Sequence, residues 1–516
     1  MDILVTGASG YIGGRLIPEL LAAGHRVRAA SRHPDGLARF DWYDDVETVR
    51  ADLSDPSSLA EAVDGIEVIY YLVHSMGDST GTSFEDSESD AATNLAEAAA
   101  AAGASRIIYL SGMHPPDRDL GDLSQHMRSR ERVARILLEG DVPTVVLRAA
   151  TVIGSGSASF EIIRHLTERL PVMVAPRWIN NRIEPISVRD VLHYLVHAAG
   201  ADTLDGVNDQ FDVGCGQTYR FSDLLRIYGR IRGLRRLIAA VPVPLPMDQL
   251  SGGWIGLVTP VPRSLAVPLA QSMAEDAVTT DGHRIREVLP DPPEGLADYP
   301  TAVRRALQRE ATGEVPTSWD RSWQSARLSG DGSPSAPSAL SALSGELPTD
   351  PDWSGETVYT DSREARTTAT VEQVWRVVES IGGRNGWYST PLLWNVRGIM
   401  DRLVGGPGLG GRRDPRHLAT GDRVDWWRVE RIDRPNLLVL RAEMKVSGQA
   451  WLILRVDRED EENAVDGGAA TTVYRQDAVF LPRGLRGRAY WWVVAPFHAA
   501  VFPLMKRNII AAAAAE

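Results

Sequence analysis

Short, largely uncharged runs alternate with helical patterns through roughly the first 150 residues, and this alternation most limits how the chain can fold. Ile3 to Val5, Val27 to Ala30, Val46 to Ala51, Val68 to Tyr71, Ile107 to Leu110 and Val142 to Leu147 read as strands buried on both faces. Helix candidates fill the gaps: Gly13 to Ala23, Ser57 to Val63, Glu85 to Ala102 and Ser124 to Glu139. Such regularity implies right-handed βαβ units, hence an α/β fold with a doubly wound parallel sheet.

At roughly 150 residues per domain, 516 residues leave room for two or three. After residue 150 the pattern loosens, and the Pro-rich stretch Val241 to Leu269 is expected to break any helix and to join a smaller lobe over the strand ends. Residues 1–311 thus read as one domain. Residues 312–352, where Ser329 to Ser338 hold mostly Ser, Gly and Pro, read as a flexible linker. Residues 353–516 follow a different grammar, that of an α+β domain. A helix candidate, Val371 to Ser380, precedes alternating segments at Asp422 to Ile432, Leu437 to Lys445, Ala450 to Val456 and Thr471 to Phe480. That pattern predicts an antiparallel sheet, closed by a helix over Ala489 to Ala515.

Lys and Arg number 55 against 68 Asp and Glu, and a net charge of −13 argues against nucleic acid as a partner. Cys215 is the sole cysteine, which excludes an internal disulfide, a redox pair and a thiolate metal cluster and suits a reducing, cytoplasmic setting. Strand-like residues from Asp2 leave no expectation of a secretory leader. Lys445 and Lys506 are the only lysines, so the first 444 residues offer no Schiff-base, Walker-type or lysine-relay chemistry.

Thr6-Gly7-Ala8-Ser9-Gly10-Tyr11-Ile12-Gly13 follows the first strand and opens the first helix. Gly7 permits a tight turn, Gly10 lets backbone N–H groups approach a pyrophosphate, and Gly13 allows close helix–strand contact. Ser9, Tyr11 and Ile12 belong to the same loop. Where an NAD-preferring fold places a carboxylate at the end of the second strand, this chain has Ser31 and Arg32. Arginine suits a 2′-phosphate, so NADP(H) is expected over NAD(H). Asp52 and Leu53 fall at the adenine edge, and Leu72, Val73 and His74 at the cofactor ribose.

Gly7-x-x-Gly10-x-x-Gly13, Ala51-Asp52-Leu53 and Pro185 to Val191 resemble the extended and atypical short-chain dehydrogenase/reductase families over about residues 1–311. Leu72 to Met76, Gly154 to Phe160 and Trp254 to Pro260 resemble a bacterial branch of NAD(P)H-binding proteins of poorly defined function. The resemblance implies a Rossmann-type domain in which a Ser orients the substrate oxygen and a Tyr, acidified by a Lys four residues later, moves the proton. Ser111 matches the first role. At the second position the chain has His126 and Arg130, so Tyr-x-x-x-Lys has become His-x-x-x-Arg. Imidazole exchanges protons near neutral pH, whereas Arg130 can hold a ribose or phosphate but relays no proton. His126 either replaces the Tyr or only caps and packs.

Asp190, His193 and His197 lie on one helix face, but without a further ligand no metal is expected. The second domain resembles the START-related helix-grip superfamily, as Thr370 to Trp375, Asp425 to Glu430 and the order helix, sheet, helix suggest. Its many tryptophans either enclose an apolar ligand or form a packed core. Tyr490 to Met505 is too short to span a bilayer and is interrupted by Pro496, His498 and Pro503, which favours a core helix. Lying on a membrane surface beside Lys506 and Arg507 is the alternative.

Two functions remain open at this point. One is an NADP(H)-dependent oxidoreductase acting on an apolar carbonyl or hydroxyl compound, through Ser111, His126 and Arg130. The other is a non-catalytic NADP(H)-binding redox sensor or assembly factor. Sugar-nucleotide epimerisation fits less well, because it needs the same Tyr and Lys.

Overall fold

The computed structural model describes residues 1–73, 82–115, 118–241, 259, 261, 263–273, 275–311, 358–390, 411, 412, 414, 417–444, 446–458 and 471–515. The chain divides into two compact units, Met1–Gly355 and Glu356–Glu516. His74, residues 242–258 of the Pro-rich stretch and the expected linker 312–352 lie outside the described residues.

In the first unit β1 (Asp2–Val5), β2 (Arg26–Ser31), β3 (Glu47–Arg50), β4 (Val68–Tyr71), β5 (Arg106–Gly112), β6 (Thr144–Ala149) and β7 (Asp209–Val213) form one parallel sheet. Its order is β7-β6-β5-β4-β1-β2-β3. The described helices are α1 (Gly13–Ala22), α2 (Pro56–Val63), α3 (Thr82–Ala102), α4 (Gln125–Glu139), α5 (Ala158–Arg169), α6 (Val188–Gly200), α7 (Phe221–Ile231), α8 (Arg263–Ser272) and α9 (Tyr299–Ala311), besides shorter turns. Successive strand side chains point to opposite faces, so both faces need cover. Ile3, Val5, Val68, Tyr70 and Ile108 meet α1 and α6 on one side. Leu4, Ile69, Tyr71, Ile107 and Tyr109 meet α2, α3 and α4 on the other.

A smaller lobe is built on Phe160 and Ile163 of α5, Leu224 and Tyr228 of α7, Ala266 of α8 and Tyr299 and Val303 of α9. The sequence pattern predicted a broken chain up to Leu269, yet α8 runs through Pro268. Burial of Ala266 and Ala270 against the lobe outweighs the hydrogen bond that proline removes. The strand β7 carries Asp209 and Asp212, charges that conceal it from a hydropathy reading. Asp212 is buried because Arg148 on the neighbouring strand meets it at 2.6 Å and Thr280 N donates to it. The strand order reverses between β1 and β4, which opens a crevice at the carboxyl ends of the strands.

The second unit is a six-stranded antiparallel sheet with two described α-helices. Its strands β8 (Tyr359–Thr367), β9 (Arg423–Val424), β10 (Trp427–Asp433), β11 (Leu437–Ala442), β12 (Gly448–Arg458) and β13 (Thr472–Pro482) lie in the order β8-β13-β12-β11-β10-β9. Helices α10 (Val371–Glu379) and α11 (Gly484–Ala515) pack on it. Thr370 caps α10, and Gln373 closes the capping box. The core joins Trp375, Trp387, Trp426 and Trp427 to Phe502, Met505 and Ile509 of α11, so these four tryptophans are packing groups. Pro496 and Pro503 lie inside the final helix, which covers the closing helix expected over Ala489 to Ala515. Pro496 is exposed, and contact with the sheet carries the helix onward.

Candidate active site

Thr6 ties the exits of β1 and β4 together. Its N–H and its hydroxyl both donate to Tyr70 O, at 3.0 and 2.8 Å, and its Oγ1 accepts from Leu72 N at 3.2 Å. Gly7 turns at φ +69°, and a Cβ there would stand 2.6 Å from Leu72 O. A Cβ at Gly13 would stand 2.3 Å from Gly7 O, so α1 begins against bare backbone. No side chain caps α1, whose N-cap is Ile12. Gly14 N donates to Gly10 O at 2.9 Å and Arg15 N to Ile12 O at 3.1 Å, so what the loop turns toward the crevice is chiefly the positive end of the helix dipole. Glycines that side chains would overfill and an uncapped helix start together fit a pyrophosphate.

A cavity of about 370 Å³ runs from Gly10, Tyr11, Ile12 and Gly13 past Leu72 to Ser111, His126 and Arg130. Its far walls include Thr151, Asn181, Ile183 and Phe221, with Leu269 and Met273 from α8 and just beyond it. The described end of the Pro-rich stretch thus contributes a wall. Ser31, Arg32, Asp52 and Leu53 do not line this cavity but stand at the carboxyl ends of β2 and β3, on the same sheet edge. Arg32 is exposed there. The Asp52 carboxylate accepts from Ser54 N at 3.0 Å and from Ser54 Oγ at 2.7 Å, which holds its pKa below the ordinary range. Its side chain thus shapes the turn after β3. Ser9 is exposed, Leu53 is buried and Val73 half-buried.

The helix α4 starts at Ser124, whose hydroxyl accepts from Met127 N at 3.3 Å, and this puts His126 in the first turn. One turn on, Arg130 Nε donates to His126 Nε2 at 3.0 Å and Arg130 Nη1 to Leu110 O at 3.4 Å. Burial, then the Arg130 charge, pushes the imidazole pKa from 6.5 down to about 3. The helix dipole acts the same way. His126 is therefore a neutral imidazole whose Nε2 is engaged as an acceptor, leaving Nδ1 as the N–H donor. Ser111, at the end of β5, is buried beside it in the cavity wall.

Two features escaped the sequence reading. Gly112 lets α4 approach β5, for a Cβ there would stand 2.8 Å from Met127 Cε and 3.3 Å from Arg130 Cδ. A second histidine, His114, sits with Nε2 3.1 Å from Glu131 Oε2, and Arg135 Nε donates to Glu131 Oε1 at 2.9 Å. The hydrogen bond that His114 donates to Glu131 raises the His114 pKa despite burial. The visible signal was a histidine three residues beyond Ser111 and a carboxylate adjoining Arg130, but only the packing of α4 on β5 joins them. Elsewhere, Asp190 is wholly buried and accepts from Ala297 N at 2.9 Å, while the rings of His193 and His197 lie 4.0 Å apart. Among the described residues no group of His, Cys, Asp and Glu gathers into a metal-holding cluster.

Residues 7–154 match a family model described as NAD(P)H-binding, and residues 353–505 match one for a protein of unknown function, DUF2867. The chain joins an NAD(P)H-binding Rossmann domain to a DUF2867 domain. This pairing is consistent with an atypical short-chain dehydrogenase/reductase fused to a second domain. A ceramide reductase of Caulobacter vibrioides is 28% identical over 258 residues, which cover 49% of this chain and 78% of that protein. A 3 beta-hydroxysteroid dehydrogenase/Delta 5→4-isomerase of Mycobacterium tuberculosis is 33% identical over 117 residues, 21% of this chain and 31% of that protein. Among solved structures, the Citrobacter sp. triphenylmethane reductase complexed with NADP(H) is 17% identical, with a TM-score of 0.46 over 60% of this chain and 100% of that one.

Proposed function

We propose that the Rossmann domain is an oxidoreductase that uses NADP(H) to interconvert a carbonyl and a hydroxyl group on a largely apolar compound. The carrying observation is that Ser111, His126 and Arg130 line the same cavity as the glycine loop Gly10 to Gly13. Leu110, Met113, Phe221 and Leu269 make much of its wall apolar. Two of the similar proteins, a ceramide reductase and a 3 beta-hydroxysteroid dehydrogenase, support the same substrate class. Gly7, Gly10, Gly13 and the start of α1 would hold the diphosphate, and Arg32 would meet a 2′-phosphate. A bound nicotinamide supplies the hydride to the carbonyl carbon, while the oxygen gains a proton.

The chain's own residues act on that oxygen. Ser111 Oγ–H donates to it and fixes its direction. Neutral His126 donates through Nδ1–H, and Arg130 at Nε2 stabilises the electron density left on the ring as that proton moves. A cation thus acidifies a neutral donor, as Lys acidifies Tyr in the family pattern, though an imidazole N–H is a weaker acid than a phenol. A neutral histidine at a helix N-terminus that polarises a carbonyl has precedent as a catalytic device. Because the imidazolium is out of reach at neutral pH, a second reading has a specific observation behind it: a domain that binds NADP(H) without turnover.

The test supplies NADPH deuterated at the nicotinamide with apolar aldehydes and ketones and measures deuterium in the alcohol formed. Transfer is expected. His126→Phe should slow it about a hundredfold while the NADPH titration stays unchanged. Tight NADPH binding with no deuterium in any product would overturn the oxidoreductase and leave the non-catalytic reading.

A further inference from the structure

The final helix of the second unit is apolar on both sides. Val501, Phe502, Met505 and Ile509 on its inward side belong to the tryptophan-rich core. Its outward side is bare: Leu485 is 48%, Trp492 68% and Val493 73% exposed. Ala489, Pro496 and Ala500 continue that row at helical spacing, and all are exposed. A helix with two apolar sides is ordinarily covered on both.

Trp492 is also held in place. Trp491 beneath it stacks on Tyr359, with centroids 5.3 Å apart and planes at 9°, and on Phe480 at 5.9 Å and 5°. Tyr359 meets the Trp492 ring edge-on at 6.4 Å. A ring positioned by groups that are already fixed loses little freedom when it docks.

Charge selects the occupant. From Gly484 to Ala515 the helix carries Arg486, Arg488, Lys506 and Arg507 and no carboxylate, in a chain whose net charge is −13. Arg486 and Arg507, near its two ends, are exposed. The carboxylates of the strand packed against it are occupied, Asp361 with Arg363 and Glu364 with Arg475. A second copy of this helix would bring like charges together. An anionic bilayer surface meets both demands, since tryptophan favours the interface and arginine the lipid phosphates. No described helix is long and apolar enough to cross a membrane, so the contact lies along the surface.

We propose that α11 docks on an anionic lipid surface, with Leu485, Trp492 and Val493 entering the interface and Arg486 and Arg507 meeting the headgroups. This goes beyond the oxidoreductase reading and does not depend on it. The test sediments the full chain with vesicles of phosphatidylglycerol and phosphatidylcholine in equal parts, and with phosphatidylcholine alone. Binding is expected only to the first, weakened about tenfold by Trp492→Ala with Val493→Ala and about as much by Arg486→Glu with Arg507→Glu. In the unaltered protein, lipids brominated on their acyl chains should quench part of the tryptophan emission, a readout that needs no variant to fold. Three outcomes would overturn the proposal: no sedimentation with anionic vesicles, sedimentation indifferent to both double variants, or a dimer that the Trp492→Ala and Val493→Ala pair dissociates. The last would assign the surface to a second copy.

Discussion

All seven strands of the large sheet in the first unit point the same way, so their carboxyl ends and the loops that leave them gather along one edge. In the second unit every strand opposes its neighbours, and no edge collects the loops. The outcome follows the backbone. The parallel sheet supports a cavity of about 370 Å³ lined by glycine backbone, a serine, a histidine and an arginine. The described core of the antiparallel sheet packs four tryptophans among aliphatic side chains. A parallel arrangement brings polar groups from distant parts of the sequence to one place, whereas an antiparallel one with a helix across it tends to bury its face.

The contrast breaks most sharply at the loop after β1. Gly13→Val puts side-chain carbon where Gly7 O stands 2.3 Å from an ideal Cβ, and neither backbone can yield. Fluorescence titration should show NADPH affinity reduced by at least about a hundredfold, with faster amide exchange over β1 and α1. In the second unit the largest effect should be on stability. Trp426→Ala removes a ring that is 1% exposed and should cost about 3–5 kcal/mol, read as faster hydrogen exchange in β10 to β12.

Acid should next distinguish the two histidines flanking the Ser111 strand. His126 has a folded pKa of about 3 against 6.5 when free, so the unfolded chain takes up the proton first as pH falls. Stability is lost through that window, by about 2 kcal/mol at pH 5, and His126→Phe should flatten that part of the urea-midpoint profile. His114 has the opposite sign. Its pKa is raised by Glu131, so its contribution is complete below its ordinary value and is lost as pH rises through the raised one. The smallest effect expected is at Arg32. Arg32→Ala should weaken NADPH about tenfold and leave NADH unchanged, and equal loss for both would remove the 2′-phosphate assignment.

Much of this was legible because it depends on local rules. The glycine spacing, the doubly buried strands and the helix candidate Val371 to Ser380 each follow from a few adjacent residues. The seventh strand was not, since Asp209 and Asp212 read as surface until Arg148 is seen beside them. Nor was the state of His126. The sequence shows His-x-x-x-Arg but not that burial and the guanidinium act together, which turns an expected acid–base group into a neutral donor. Pro268 of α8 misled for a similar reason: a local penalty was outweighed by packing visible only in three dimensions.

The hydrogen on Gly112 has a consequence for anyone reshaping this site. Strand and helix meet there with no side chain between Gly112 and Met127 or Arg130, so the approach of α4 to β5 at this point depends on the smallest side chain available. Under the proposed reaction, enlarging the far walls at Phe221 or Leu269 would change which compound fits. Adding a methyl at 112 instead would meet the Met127 thioether and Arg130 Cδ at 3.3 Å, so Met127 must swing aside or be trimmed in the same step, and Arg130, which donates to His126, must give with it.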